Sequence, residues 1–348
     1  MDSRRVALCY AVLIPLFSMS VLTAIGVGST YIDWATILRV AGVKLLPAGW
    51  VATAGITRSD IVIVWLIRVP RVIVAGFVGM GLAGAGAVMQ ALFRNPLAEP
   101  ALVGTGSGAV LGAVIAFVAG WSARSVVSVP LAAMTGAFLA LIVVYAIATR
   151  GGVTPLGTLL LAGIATTSLL SAASSLLLSV NIVNWQIAQE IIFWTMGGLD
   201  ARSWTHVWLC GPFVVLGMLA AILQARDLDL LQQGEESAVA LGLDIEASKR
   251  VLALTAAMLT GACVAVAGMI GFVGLVVPHA VRLVVGPANR RLLPASGLTG
   301  ATFLILCDLA ARTLHPPVEI RLGVVTALLG GPIFIALLLR RYRDVSAS

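Results

Sequence analysis

The sequence predicts an all-α, polytopic membrane protein of about ten transmembrane helices, and three observations carry that reading. Of 348 residues, 60% are hydrophobic and 11% charged, with a mean hydropathy of +1.05, whereas about a quarter of a soluble globular chain is charged. Apolar runs recur at roughly the 20-residue length that a helix needs to cross a hydrocarbon core about 30 Å thick. Lys and Arg residues gather at the ends of these runs. An ordinary water-soluble domain is excluded.

The first run, Val6 to Val27, follows Arg4 and Arg5 and so resembles a cleaved leader. It is longer than the usual apolar signal region and has no clear small-residue cleavage site before Tyr31, so it reads as the first span. The further spans are expected near 69–92, 99–120, 126–148, 156–180, 204–224, 250–270, 272–285, 295–314 and 323–339.

With ten spans, Arg4, Arg5, Arg94, Arg150, Arg226, Lys249, Arg250, Arg290, Arg291, Arg340, Arg341 and Arg343 fall on one side. Positive charge in short loops favours the cytoplasm, which puts both termini there. The first outer loop breaks this rule, since it carries Arg39, Lys44 and Arg58 and ends in Arg68 and Arg71. The net charge of +7 is scattered rather than gathered into a basic face, so no nucleic-acid partner is expected.

The longest polar interruption, Ala225 to Arg250, places Leu241, Leu243 and Ile245 among acids. It reads as one or two short amphipathic helices on the cytoplasmic surface. An Arg-Val start at Arg71 recurs at Arg250, each followed by a helix rich in small residues and a break at Pro96 or Pro278. Five spans separate the two starts, so the copies would be inverted in the membrane.

Cys9, Cys210, Cys263 and Cys307 are far apart in apolar runs and read as packing residues, so no metal site is expected. No GK dipeptide occurs, hence no P-loop lysine to hold a nucleotide. The spans hold neither paired carboxylates nor a His cluster, against a membrane-embedded enzyme. They also lack the midplane ionisable groups expected of an ion-coupled secondary transporter.

The segment from Arg68 to Gly108 is the most informative. Two arginines bracket Pro70, and Ala75, Gly79, Ala83, Ala87 and Ala91 then form a small-residue stripe that permits close helix packing. Pro96 and Pro100 follow, where the helix must break.

Seven pieces of this sequence together resemble the FecCD-type permeases of type II ABC importers, which carry iron-siderophore complexes, haem and vitamin B12. They are Arg68 to Arg71, GAVMQALFRNPLAEP at Gly86 to Pro100, LLLAGIA at Leu159, WTMGG at Trp194, ALGL at Ala240, GFVGLVVPHAVRL at Gly271, and Asp308 through Arg312 to Gly323.

The resemblance implies a type II ABC importer permease fold filling 1–348 as one transmembrane domain, with a coupling loop at about 225–250. It implies a homodimer in the bacterial inner membrane, with two ATPase subunits and one periplasmic substrate-binding protein, and ATP hydrolysis outside this chain. It further implies that Arg68, Arg71 and Arg312 receive acids of the binding protein, with interfacial snorkelling as the alternative for the first two. Asp308, one turn before Arg312, would orient it. Asn95 and Leu97 match an inner gate, or else a plain helix break, and Glu235, Glu236, Ala240, Leu241 and Gly242 match the ATPase-coupling helices. No resident cofactor or metal is implied. Haem is the favoured cargo, with a ferric siderophore or cobalamin as alternatives. His279 reads as structural, whereas His206 and His315 lie near outer ends where cargo could touch them.

Overall fold

The computed structural model describes residues 3–28, 30–47, 50 and 55–346. Helix α1 spans Ser3–Gly26 and α2 spans Trp34–Leu45, and α3 (Arg58–Ile61) runs through a π-helical turn, Val62–Arg68, into α4 (Val69–Leu92). After a 3-10 turn at Pro100–Val103 come α5 (Thr105–Val118), α6 (Ser128–Ala148), α7 (Leu156–Val180) and α8 (Trp185–Thr195). Then follow α9 (Trp204–Leu223), α10 (Ala225–Gln233), α11 (Glu235–Ala240), α12 (Ile245–Ala267), α13 (Val273–Val285), α14 (Asn289–Thr313) and α15 (Leu322–Ser346). Among the described residues seven helical stretches are long and apolar enough to cross a membrane, and three apolar helices are shorter. Each of the ten expected spans therefore has a helix, but α5 and α13, at 14 and 13 residues, fall short of a full crossing.

The end of the bundle that carries Arg68 is called outer here, and the end that carries Glu235 inner. Helix α4 is the axis. It packs against α14, α12, α9 and α13, and Ala75, Gly79, Ala83, Ala87 and Ala91 are all buried. A Cβ at Gly79 would overlap the Gly300 carbonyl of α14, and one at Gly86 would overlap the Gly274 carbonyl of α13. Helices α5 and α6 meet in the same way at Gly108 and Gly136. In lipid, where no hydrophobic effect drives helices together, such close backbone approach supplies the packing.

The two halves echo each other. Helix α4 packs on α13 and α14, and α12 packs on α5 and α6; within the halves α5, α6 and α7 touch mutually, as do α13, α14 and α15. Two corrections to the sequence expectations follow. The span expected at 99–120 begins only at Thr105, and Pro278 lies inside α13 rather than at a break. The break that precedes α13 falls instead at Gly268 and Phe272, both at positive φ. Glycine adopts that backbone freely, but Phe272 does so only because its surroundings hold it.

These breaks start α5 and α13 part-way through the bundle. Loop backbone at that depth is tolerated only where it is buried in protein or lines a water-filled cavity. Here Glu99 of the first break lies beside the Phe272 backbone of the second, so the two breaks meet inside the bundle.

Helices α2 and α8 have no counterpart among the expected spans. Each is about half the length a crossing needs, at 12 and 11 residues. Gly86→Val should drive the α4–α13 backbones apart and cost about 1–3 kcal/mol, read as a lowered unfolding temperature in detergent. Gly157→Ala, where an added Cβ meets nothing within 4 Å, should not lower it, since alanine favours the helix.

Candidate functional site

Two polar constellations stand at opposite ends of the bundle. At the outer end, Arg71 of α4 is held on both flanks. Its Nε donates to Asp308 Oδ1 and Oδ2 at 3.1 and 3.0 Å and its Nη2 to Oδ1 at 2.9 Å, while Nη1 and Nη2 donate to the Glu319 carboxylate at 3.1 and 2.9 Å. The planar guanidinium is suited to such doubled contact. Asp308 was expected to orient Arg312, one turn along α14, but its close partner is Arg71 and the Arg312 Nε lies 3.7 Å away.

Arg312 and Arg68 have a different task. Arg68 donates to the carbonyls of Ile25 at 3.0 Å and Gly26 at 2.9 Å and also to that of Thr30, and Arg312 donates to that of Ala24. These include the last carbonyls of α1, which have no partner within the helix. The two arginines therefore cap α1 and tie it to α4 and α14.

The π-helical turn before α4 is explained locally. Pro70 offers no N–H, and the Val69 N–H instead reaches back five residues to the Val64 carbonyl. The carbonyl of Trp65 accepts the Trp204 indole N–H at 2.8 Å, which fastens α9 to the turn.

Arg68, Arg71 and Arg312 are all buried, at 4%, 8% and 9% exposure. They nevertheless line one cavity of about 300 Å³ together with Gly28, Thr30 and Glu319. Three guanidiniums and the Glu319 carboxylate line it, with Asp308 behind Arg71, so the cavity is net positive. Glu319 is its most accessible charge, with 41% of the side chain exposed.

Beside it, Arg321 donates to both oxygens of Asp200 at 2.9 and 3.0 Å and lies 4.2 Å over the Phe193 ring. Burial would raise the Asp200 carboxyl, but the Arg321 guanidinium outweighs it and holds the group below its usual range. His206 is buried in the capping box of α9, where its Nδ1 accepts the Ser203 N–H at 3.2 Å, whereas His315 is exposed.

At the inner end the organising residue is Lys249, which is 1% exposed. Its Nζ lies 3.1 Å from Glu235 and from Glu246 and donates to the Thr154 carbonyl at 3.1 Å, while Glu246 accepts the Thr154 N–H at 3.0 Å. Glu235 is thus an internal anchor that fixes α11 to α12 and to the start of α7. Glu236, Ala240, Leu241 and Gly242 remain exposed on the outside of this platform, joined by Val239. Asp229 of α10 accepts from the backbone and side chain of Asn289 at 2.8 and 2.7 Å, which anchors the platform to α14 as well.

Nearby, Asn95 Oδ1 accepts the Leu97 N–H at 3.0 Å and forms a tight turn that leaves both residues exposed. The sequence reading did not single out Lys249, Glu319 or Asp200. Only Lys249 carried a signal, an acid three residues before it on the same helix face. The partners of Glu319 and Asp200 lie 248 and 121 residues away.

Removing one partner of a buried pair strands the other. Asp308→Ala should therefore cost about 3–5 kcal/mol and detach the outer end of α1, read as increased amide exchange at residues 24–28. Glu319→Ala, at the exposed rim, should cost less than about 1 kcal/mol.

The FecCD transport family model matches residues 16–340. The chain is 45% identical over 295 residues to the cobalamin import system permease protein of Halobacterium salinarum, covering 84% of this chain and 77% of that one. It is 42% identical to the hemin transport system permease protein of Yersinia pestis, covering 80% and 84%. A metal-chelate type ABC transporter solved in an inward-facing conformation superimposes with a TM-score of 0.83 at 28% identity, covering 96% of this chain and 99% of that one. An α-helical bundle with half-length helices starting inside it, matched along nearly its whole length to one family, belongs to the FecCD transport family of ABC importer permeases.

Proposed function

We propose that this chain is the membrane-spanning half of an ATP-driven importer for a bulky metal chelate and works as a homodimer in the bacterial inner membrane, with both termini cytoplasmic. Two ATPase subunits bind its inner face and one substrate-binding protein its outer face. The observation that carries the reading is the inner platform. Its surface exposes Val239 and Leu241 at 60% and 59%, beside Glu236. The same short helices are anchored internally through Lys249 to α12 and through Asp229 to α14. An apolar surface on a rigid mount is what force transfer from a separate ATPase requires.

Glu236, Ala240, Leu241 and Gly242 make that contact, and Glu235 holds them in place. Asn95 and Leu97, exposed on a turn at the same end, form the inner gate between the two copies. At the outer end Arg68, Arg71 and Arg312 supply the positive field that acids of the binding protein meet, and Arg71 exchanges Glu319 for one of those acids.

Haem and cobalamin are the two cargo readings. Haem follows from the sequence resemblance, and a relative named for cobalamin at 45% identity favours the second. Reconstitution with the cognate ATPase and binding protein, followed by parallel uptake of haem, cobalamin and a ferric siderophore, decides between them. No ATP-dependent uptake of any of the three would defeat the importer reading.

Two variants test the contacts. Leu241→Arg should abolish co-purification of the ATPase while the chain still folds, since Leu241 lies exposed on the platform surface. Glu319→Gln removes the carboxylate that competes for Arg71, so binding-protein affinity should rise severalfold at low salt and fall more steeply as salt is added. Unchanged affinity at every salt concentration would defeat the assignment of the arginine cavity.

A further inference from the structure

We infer that a hydroxyl-lined pocket beside α7 is a cargo subsite that recognises neutral carboxamide-type groups rather than carboxylates. This rests on the importer reading above and deepens it.

The pocket lies where the start of α5, the middle of α7, the end of α8 and the break before α13 meet, and it measures about 310 Å³. Ser107, Thr167, Ser171, Ser174, Ser175 and Thr195 contribute its polar atoms. Ser107, Ser174 and Thr195 donate to carbonyls of their own helical turns at 3.0, 2.9 and 2.7 Å, so their oxygens face the pocket as acceptors.

Thr167, Ser171 and Ser175 have no hydrogen-bond partner among the described residues, and the Thr167 Oγ1 is buried. A buried hydroxyl without a partner costs about 1–3 kcal/mol, and lipid offers it nothing. A visiting ligand or water must satisfy it. Ser171 and Ser175 lie one turn apart on an exposed strip of α7, and Leu161, Leu169 and Leu176 occupy a neighbouring strip of the same helix. The polar strip therefore suits the path between two copies and the leucine strip suits an apolar neighbour.

The chemistry of the donors decides the ligand class. The pocket offers O–H donors and oxygen acceptors together, which match the N–H and C=O of a carboxamide, whereas a carboxylate can only accept. No Lys, Arg or His lines it. The nearest cavity, which shares Ala101 and Met269 with it, contains Glu99. An anionic group entering here would lose its hydration without a counter-charge. The pocket holds the volume of roughly ten waters. That suits a rim group of a large chelate rather than the whole molecule.

The test uses the complete transporter in proteoliposomes, with uptake of two amide-bearing complexes, cobalamin and a neutral ferric hydroxamate, and two carboxylate-bearing ones, haem and ferric citrate. The wild type should carry at least one amide-bearing complex. Thr167→Val, which keeps shape, and Ser171→Ala should each lower its uptake about threefold to tenfold, the worth of one hydrogen bond, relative to any carboxylate-bearing complex that is carried. Thr167→Ser should restore it.

A wild type that carries only the carboxylate-bearing complexes overturns the inference and leaves the importer reading standing. So does an equal effect of the variants on both classes, or none on either. Where no carboxylate-bearing complex is carried, loss of uptake that Thr167→Ser fails to restore overturns it too. A wild type that carries no complex defeats the importer reading itself.

Discussion

The bundle depends on how thin α4 is. With alanine or glycine at Ala75, Gly79, Ala83, Ala87 and Ala91, and with Gly86 against the Gly274 carbonyl, its backbone touches the backbones of α14 and α13 without intervening side chains. Dispersion between close-packed backbones is the main attraction left to helices in lipid. That intimacy also leaves room inside the bundle for the breaks at 93–104 and 268–272. Asn95 and Leu97 stay exposed at the inner end, while Glu99 of one break lies beside the Phe272 backbone of the other.

The charged residues answer to the same constraint at the bundle's ends. Arg71 and Asp308 join α4 to α14, Arg68 and Arg312 close the end of α1, and Lys249 joins α11, α12 and the start of α7. Each is a buried charge matched by carboxylates or carbonyls, the condition under which burial is tolerated. Structural duty does not conflict with the roles proposed for them. A guanidinium held rigidly at the mouth of a cavity presents its field in a fixed direction, and a platform pinned by an internal ion pair can transmit a push.

The sequence and the structure disagree where local signals are weakest. Ten apolar runs were legible because length and hydropathy are local quantities. The late start of α5 at Thr105 was not, because Pro100 to Gly104 are apolar or small and read as part of the run. Helices α2 and α8 are too short for a spanning signal. Pro278 reads as a breaker, but it lies inside α13, and the Gly274 carbonyl left without its N–H accepts from the Gln90 side-chain amide at 3.4 Å. Asp308 reads as the partner of its helical neighbour Arg312, and the fold keeps that ion pair at 3.7 Å but gives the shorter hydrogen bonds to Arg71, 237 residues away.

Amino-acid order alone determined the membrane class, the ten long apolar runs, the small-residue face of α4 and the family, because composition, run length and short motifs are written along the chain. Only the tertiary structure decided that Arg68, Arg71 and Arg312 are buried and held by carbonyls or carboxylates, that Glu235 pairs with Lys249, and that hydroxyls from α5, α7 and α8 share a pocket. The reason is physical. Pairing in a membrane protein is set by which backbones approach closely enough to exclude lipid, and those approaches join residues hundreds of positions apart.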